Sequence, residues 1–556
     1  MKEAFSLVKC VLVSHSCSSV YRHTYSTETH WLSPSNTMNS TATQTTTTTA
    51  HYHSSPKKSH RRRQSVNNTI NKDPTSRYFP HPANLADARV DDPFPLAIQV
   101  YERCRSQLQN TKFGTLYTGR LGVECYLPLL IAEQLPEREA VEYLEDAKQS
   151  AIHALQETPK DFSGGSTTTK KFRVTLLEGA WVGAKAMLAV ICDRLSQTSE
   201  AQAHASELLQ TLDEAVDRLP PSDCDILYGR AGALQVIWFL RVHLRESRHN
   251  FQEQSKPLVI KWAKEILLEG MERSLKTRGR QQQREEDGAA ISLPLVWEWK
   301  GKAYLGAAHG IVGILHSLLG LAEDEWSELE DAFGKAQPLN QNEANDMVHE
   351  NNQLHRRSAS TEKLEFLASF LNIGDHNDTV DMMSDGPVRK KRTIKDILND
   401  TIKSLPLFCY DSGNLQSRLE AKGGDRLVHW CHGAPGYCLL LCKAYQVYGD
   451  DAFLQHAKRL ANSVVFPRGL LQKGVGLCHG ISGNAFCFLI RGGYSTNPTA
   501  WRRKGEQFAA FALANLPELE PLPDRPYSLY EGLGGLAALL LYLAGQGQRR
   551  NFPLYY

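Results

Sequence analysis

Short, almost wholly apolar runs alternate with longer segments in which apolar residues recur every three to four positions, from about residue 77 onward. Residues 233–240 and 536–544 exemplify the first kind, 201–216 and 258–271 the second. The 3.6-residue spacing predicts amphipathic helices with one face in solvent, and the apolar runs predict helices buried on all sides. A glycine-bearing turn precedes each apolar run. It reads Leu116-Tyr117-Thr118-Gly119-Arg120-Leu121-Gly122, then Leu227-Tyr228-Gly229-Arg230-Ala231-Gly232, then Ala308-His309-Gly310-Ile311-Val312-Gly313. Trp430-Cys431-His432-Gly433-Ala434-Pro435-Gly436, Leu477-Cys478-His479-Gly480-Ile481-Ser482-Gly483 and Leu529-Tyr530-Glu531-Gly532-Leu533-Gly534-Gly535 follow, and Leu177-Glu178-Gly179-Ala180-Trp181-Val182-Gly183 is a further copy with one extra residue. Each repeat thus predicts a turn, an inner apolar helix and an outer amphipathic helix. About seven such pairs predict an all-α fold, an α/α toroid (barrel) of helical hairpins in inner and outer layers. The inner helices would line a funnel with the turns at its mouth, where glycine lets backbones crowd together and leaves N–H groups free to face a ligand.

Two stretches break this rhythm. Residues 1–72 are rich in Ser and Thr, with a near-continuous Thr run at 41–49, and read as a disordered basic tail. The toroid is expected over 73–556, with a partly disordered polar insertion around 335–395 that carries Arg356-Arg357-Ser358-Ala359-Ser360, a candidate phosphorylation string. Net charge is +2, but the tail holds nine Lys/Arg against Glu3 and Glu28, which leaves the remainder near −5. That balance excludes a nucleic-acid platform. The basic cluster Lys57-Lys58-Ser59-His60-Arg61-Arg62-Arg63 reads as a solvated charge run, a nuclear address or an anionic-surface contact.

Twelve cysteines without compact spacing point to reduced thiols, and the apolar run at 5–13, broken by Lys9, is too short for a signal core. A cytoplasmic protein is expected, peripheral at the plasma membrane or nuclear if the tail directs it there. Residues 305–322 have the length of a membrane span, yet they hold His309, His316 and four glycines and read as a buried helix of a soluble protein.

Candidate chemistry centres on Cys431 and Cys478, which occupy the same place in adjacent repeats, each followed by His. Two thiolates and one imidazole suit zinc and leave a fourth position open, as catalytic sites do. The bland alternative is two buried structural cysteines. The turns around His309, Cys431, Cys478 and Tyr530, together with His429 and Ser528, resemble those of the eukaryotic lanthionine synthetase C-like family, from about Arg77 to the end of the chain. The resemblance implies a seven-hairpin α/α toroid with a zinc ion held by Cys431, Cys478 and His479. It implies that glutathione binds and is added to dehydroalanine or dehydrobutyrine residues of proteins or peptides, a transferase reaction.

Such addition creates an enolate that needs a proton, and His309 and His432 both fall at glycine turns; the resemblance favours His309. It also implies that Lys473 contacts glutathione and assists catalysis, that Arg77 of Arg-x-Phe-Pro-x-Pro binds glutathione, and that Asp225 orients His309. A non-catalytic glutathione sensor, or a scaffold for kinases or a membrane surface, is the competing reading. A glycan-processing toroid would need paired carboxylates, and Glu178 and Glu531 are the only acids of note at the turns.

Overall fold

Amphipathic spacing, with side-chain caps on some, marks the outer helices, whereas loop carbonyls start five of the inner ones. The structure is a computed structural model that describes residues 77–158, 172–282, 293–334, 392–420, 424–545 and 551–556. The 1–72 tail, residues 335–391 of the insertion and the Arg356–Ser360 string lie outside the described residues. Those described belong to the unit Ser76–Tyr556.

The outer layer comprises α1 (Pro93–Leu108), α3 (Glu137–Glu157), α5 (Thr198–Val216), α7 (Arg248–Gln282), α9 (Glu323–Gly334), α12 (Asp451–Leu460) and α14 (Pro498–Ala514). On α12 the buried residues are Phe453, Leu454, Ala457 and Leu460, one stripe of a 3.6-residue period. A side chain caps α12 (Asp450), α14 (Asn497) and α10 (Ile394–Ser404), where Thr393 and Asp396 form a capping box.

Inner helices are α2 (Leu127–Ala132, entered through a π-helical turn at Gly122–Tyr126), α4 (Ala180–Arg194), α6 (Arg230–His243), α8 (Ile311–Leu318), α11 (Ala434–Tyr448), α13 (Ile481–Gly492) and α15 (Leu533–Ala544). All eight residues of α8 are buried. Neighbouring inner helices pack side by side from α4 through α15, and α15 packs against α2. Among the described residues the only β features are isolated bridges. The toroid expected from the repeat is therefore the fold.

Three features differ from the sequence reading. The first described helix, α1, is an outer helix that packs on the last inner helix, α15, so the seventh hairpin is made from the two ends of the described domain. The buried helix expected over 305–322 is only Ile311–Leu318, because the residues before it form the turn; no helix among the described residues is long and apolar enough to cross a membrane. The inner-helix N–H groups are not free for a ligand. In five repeats the first helical N–H bonds the carbonyl six residues before the cap glycine: Arg120 to Phe113 (2.6 Å), Arg230 to Asp223 (3.0 Å), Ile311 to Tyr304 (3.0 Å), Ile481 to Gly474 (3.1 Å) and Leu533 to Pro526 (2.8 Å). The loop consumes its own orphan donors, so no side-chain cap is needed.

This looping back explains the second glycine. A Cβ at Gly313 or Gly483 would fall well inside contact distance of the carbonyl oxygen of Ala307 or Leu477, three residues before the cap glycine. In the second repeat the glycine stands one place later, at Gly183, and the Leu176 carbonyl lies 3.3 Å from such a Cβ. Residues 551–556 pack among the inner helices, beneath the turns. Phe552 stacks on Trp430 (5.5 Å), Tyr555 on His316 (3.8 Å), and Tyr556 donates its N–H to Gln235 (2.7 Å).

Gly483→Ala should destabilise the domain by about 1–3 kcal/mol, the usual range for overpacking. Gly424→Ala, where nothing lies within 4 Å, should stay within about 0.5 kcal/mol of the parent. Denaturant titrations of both proteins measure this, and equal midpoints would contradict it.

Candidate functional site

Counting back from the cap glycine of each repeat places the chemistry in two rings. One position back stand Thr118, Glu178, Tyr228, His309, His432, His479 and Glu531; two positions back stand Tyr117, Leu177, Leu227, Ala308, Cys431, Cys478 and Tyr530. Backbone hydrogen bonds tie the second ring together: Tyr117 N–H to Leu177 (3.0 Å), Cys431 to Cys478 (3.3 Å), Cys478 to Tyr530 (2.7 Å) and Tyr530 to Tyr117 (3.1 Å). Four positions back, Thr115, Thr175, Asp225 and Ser528 each accept the N–H of the residue preceding the cap glycine, which fixes that side chain's direction.

The ring brings Cys431, Cys478 and His479 together, with their donor atoms all within 4.8 Å of one another. Both sulfurs are buried, at 8% and 3% exposure. Burial first, and then the hydrogen bond and negative charge of Cys431, push the Cys478 thiol well above its ordinary range. Burial opposes a charged His479, yet its hydrogen bond to and attraction for Cys478 carry its pKa upward. Two buried sulfurs this close together are held as thiolates only by a cation between them, so this donor set fits zinc. The hydroxyl of Tyr117 lies 2.7 Å from Cys478 Sγ. Burial, and next the charges of Cys478 and Cys431, hold this phenol well above 10, so it keeps its proton. A second cluster, Cys192, Glu200 and His204, has similar donors. There Lys148 lies 2.8 Å from Glu200 and Lys185 Nζ 3.1 Å from His204 Nδ1, so ammonium groups already satisfy it.

His309 stands on the same ring. Its Nδ1 is 2.8 Å from Oδ2 of buried Asp225, whose Oδ1 is already committed to the Tyr228 N–H at 2.6 Å. Asp225 therefore cannot turn, and neither can the imidazole, which stacks on Trp299 at 3.9 Å and 12°. His432 is held differently: its buried Nδ1 has no hydrogen-bond partner among the described residues, and its ring lies 5.8 Å from Tyr304. Glu178 and Glu531 are raised above the usual carboxylate range, chiefly by burial, which Arg173 opposes at Glu178 and His479 at Glu531.

Lys473 is exposed and makes no ion pair among the described residues, yet after burial its charge helps to depress His429 and His432. Arg77 also acts on His429, because the Arg77 carbonyl accepts the Gln472 N–H (2.9 Å) and sets the two chain segments side by side. A cavity of about 200 Å³ beside the Cys431 turn is lined by Arg77, Tyr410, Asn414, Ser417 and Arg426. All eight residues proposed from the sequence thus lie on the turns or next to them. Tyr117, Trp299 and Tyr228 were missed. Tyr117 had a signal, since it occupies the register position of Cys431 and Cys478; Trp299 had none, being outside any repeat.

Depressed histidines predict loss of stability in acid. His432 and His456 are pushed down to about 4 and His243 to about 3, in each case first by burial and then by neighbouring positive charge. The unfolded chain takes up those protons near pH 6.5, so stability is full above about 6.5 and is lost as pH falls toward 4. Each such histidine contributes a slope of up to about 1.4 kcal/mol per pH unit. Denaturation of chelator-treated protein between pH 7.5 and 4.5 should show this loss, with a shallower slope for His456→Gln; a stability independent of pH would contradict it.

A family model described as lanthionine synthetase C-like protein matches residues 112–357 and 385–555. Among curated proteins, the chain is 27% identical over 385 residues to Glutathione S-transferase LANCL1 of Danio rerio, covering 69% of this chain and 74% of that one. It is 24% identical over 338 residues to LanC-like protein GCL1 of Arabidopsis thaliana, covering 60% of this chain and 57% of the relative. Among solved structures, Nisin cyclase aligns with 81% of this chain and 93% of its own at a TM-score of 0.43 and 14% identity. With three-quarters of its length matched by one family, the chain belongs to the lanthionine synthetase C-like protein family.

Proposed function

We propose that this protein adds the thiol of glutathione to dehydroalanine or dehydrobutyrine residues of proteins, with zinc held by Cys431, Cys478 and His479. The observation that carries this reading is the placement of that sulfur–imidazole set on the same ring of turns as a carboxylate-anchored histidine, His309. The name of the Danio rerio relative, a glutathione S-transferase, agrees with it. A bound zinc ion supplies the Lewis acidity that keeps a thiol of ordinary pKa about 8.5 ionised at neutral pH.

The chain's own residues account for the rest. Glutathione carries two carboxylates, and Lys473 and Arg77 are cations beside the site without an ion-pair partner among the described residues. When sulfur bonds to the β-carbon, the carbon–carbon double bond opens and its electron pair moves to the α-carbon and the adjoining carbonyl. The α-carbon then needs one proton. His309 presents the ring nitrogen not bonded to Asp225, and Asp225 offsets the charge of the ring until the proton leaves. His432, without a partner for Nδ1, is the weaker candidate for that proton.

Zinc-loaded protein incubated with glutathione and a dehydroalanine peptide should give a mass gain of one glutathione. His309→Asn should slow adduct formation about 10²- to 10⁴-fold with zinc content unchanged. Cys431→Ala should lose the metal. No adduct above the uncatalysed rate with fully loaded parent protein would overturn the reading.

A further inference from the structure

Tyr117 belongs to the first repeat and Cys478 to the sixth, with Tyr530 of the seventh between them in the ring. The Tyr117 ring lies on that of Tyr530 at 4.7 Å and 24°. Tyr530 is itself fixed, because its hydroxyl donates to the Pro553 carbonyl at 2.7 Å and Trp430 meets it edge-on at 5.5 Å. Backbone bonds hold Tyr117 at both groups, its N–H on Leu177 and its carbonyl under the Tyr530 N–H. The phenol is therefore pinned on its face and at its backbone, and it is 8% exposed. Its hydroxyl lies 2.7 Å from Cys478 Sγ. Cys431 has no hydroxyl donor among the described residues; the contact of its sulfur with a ring nitrogen is the longer one to His429 Nδ1, at 4.0 Å.

We infer that Tyr117 is a positioning residue for the metal site, donating a hydrogen bond to the Cys478 sulfur and making the two sulfur ligands electronically unequal. This rests on the reading that Cys431, Cys478 and His479 hold zinc. A metal-bound cysteine has lost its proton, so only the phenol can be the donor in this pair. The bond draws electron density from Cys478, leaving a ligand that donates less to the ion than Cys431 does. It also locks the Cys478 side chain, since a buried hydroxyl that lost this acceptor would be left unpaired. The metal site therefore registers whether the first and last repeats are joined.

The test compares parent, Tyr117→Phe and Tyr530→Phe by zinc competition with a chromophoric chelator, and by absorption of the cobalt(II)-loaded proteins. Tyr117→Phe should weaken zinc about 10- to 100-fold. It should also move the thiolate-to-cobalt charge-transfer band to lower energy, because a sulfur without its hydrogen bond is easier to oxidise. Tyr530→Phe deletes a hydroxyl that touches no sulfur and should leave the band in place, which separates this role from packing. Incorporation of 3-fluorotyrosine at position 117 keeps the ring, strengthens the donor and should move the band the other way, so the inference is tested even if Tyr117→Phe does not fold. An unchanged cobalt band in both position-117 proteins, with the parent binding one zinc, would overturn this inference alone. A parent that binds no zinc would overturn the metal reading and this inference with it.

Discussion

The hydrogen bonds that pass from one glycine turn to the next are the constraint on which the site depends. An inner helix that is apolar on every side is stable only when neighbours cover it, so seven of them are best buried by closing into a ring. Closure then brings their starting turns close enough for backbone to meet backbone, as at Cys431 to Cys478, Cys478 to Tyr530 and Tyr530 to Tyr117. Two sulfurs 47 positions apart share a site because one residue's N–H is bonded to the other's carbonyl.

The ring is chemically lopsided, and the asymmetry lies four residues before the cap glycine. Thr115, Thr175, Asp225 and Ser528 use their side chains there to rigidify the turn. The fourth, fifth and sixth repeats carry Gly306, His429 and Gly476 instead. Those are the repeats that present His309, the two cysteines and His479. Where the hydroxyl or carboxylate is absent, close backbone packing replaces it: a Cβ on Gly306 would strike the Cys431 carbonyl and one on Gly476 the backbone of Tyr530 and Glu531. Asp225 serves both purposes, since one oxygen holds its own turn and the other reaches across to the next.

Charge is arranged to the same end. Burial makes thiols and imidazoles neutral, and Cys478, His429 and His432 all shift in that direction. Lys473 and Arg77 stand outside the buried shell and act on its histidines without entering it. The result is an interior whose sulfurs and imidazole suit a metal ion, with two cations at its edge.

Much of this was legible in the residues themselves. Alternating apolar and amphipathic segments, with Gly-x-x-Gly before each apolar run, determined an α/α fold of about seven repeats, because helical periodicity and glycine spacing are local properties. Equivalent positions in adjacent repeats were enough to pair Cys431 with Cys478 and to put His309 and His432 at the turns, and the family resemblance favoured His309. Only the tertiary structure decided that α1 completes the last hairpin, that residues 551–556 pack among the inner helices, and that loop carbonyls take the helix N–H groups thought free for a ligand. It alone placed Tyr117 on a sulfur and Trp299 on His309. Those contacts join residues far apart in the chain, and they exist only because a closed ring fixes which turns face each other.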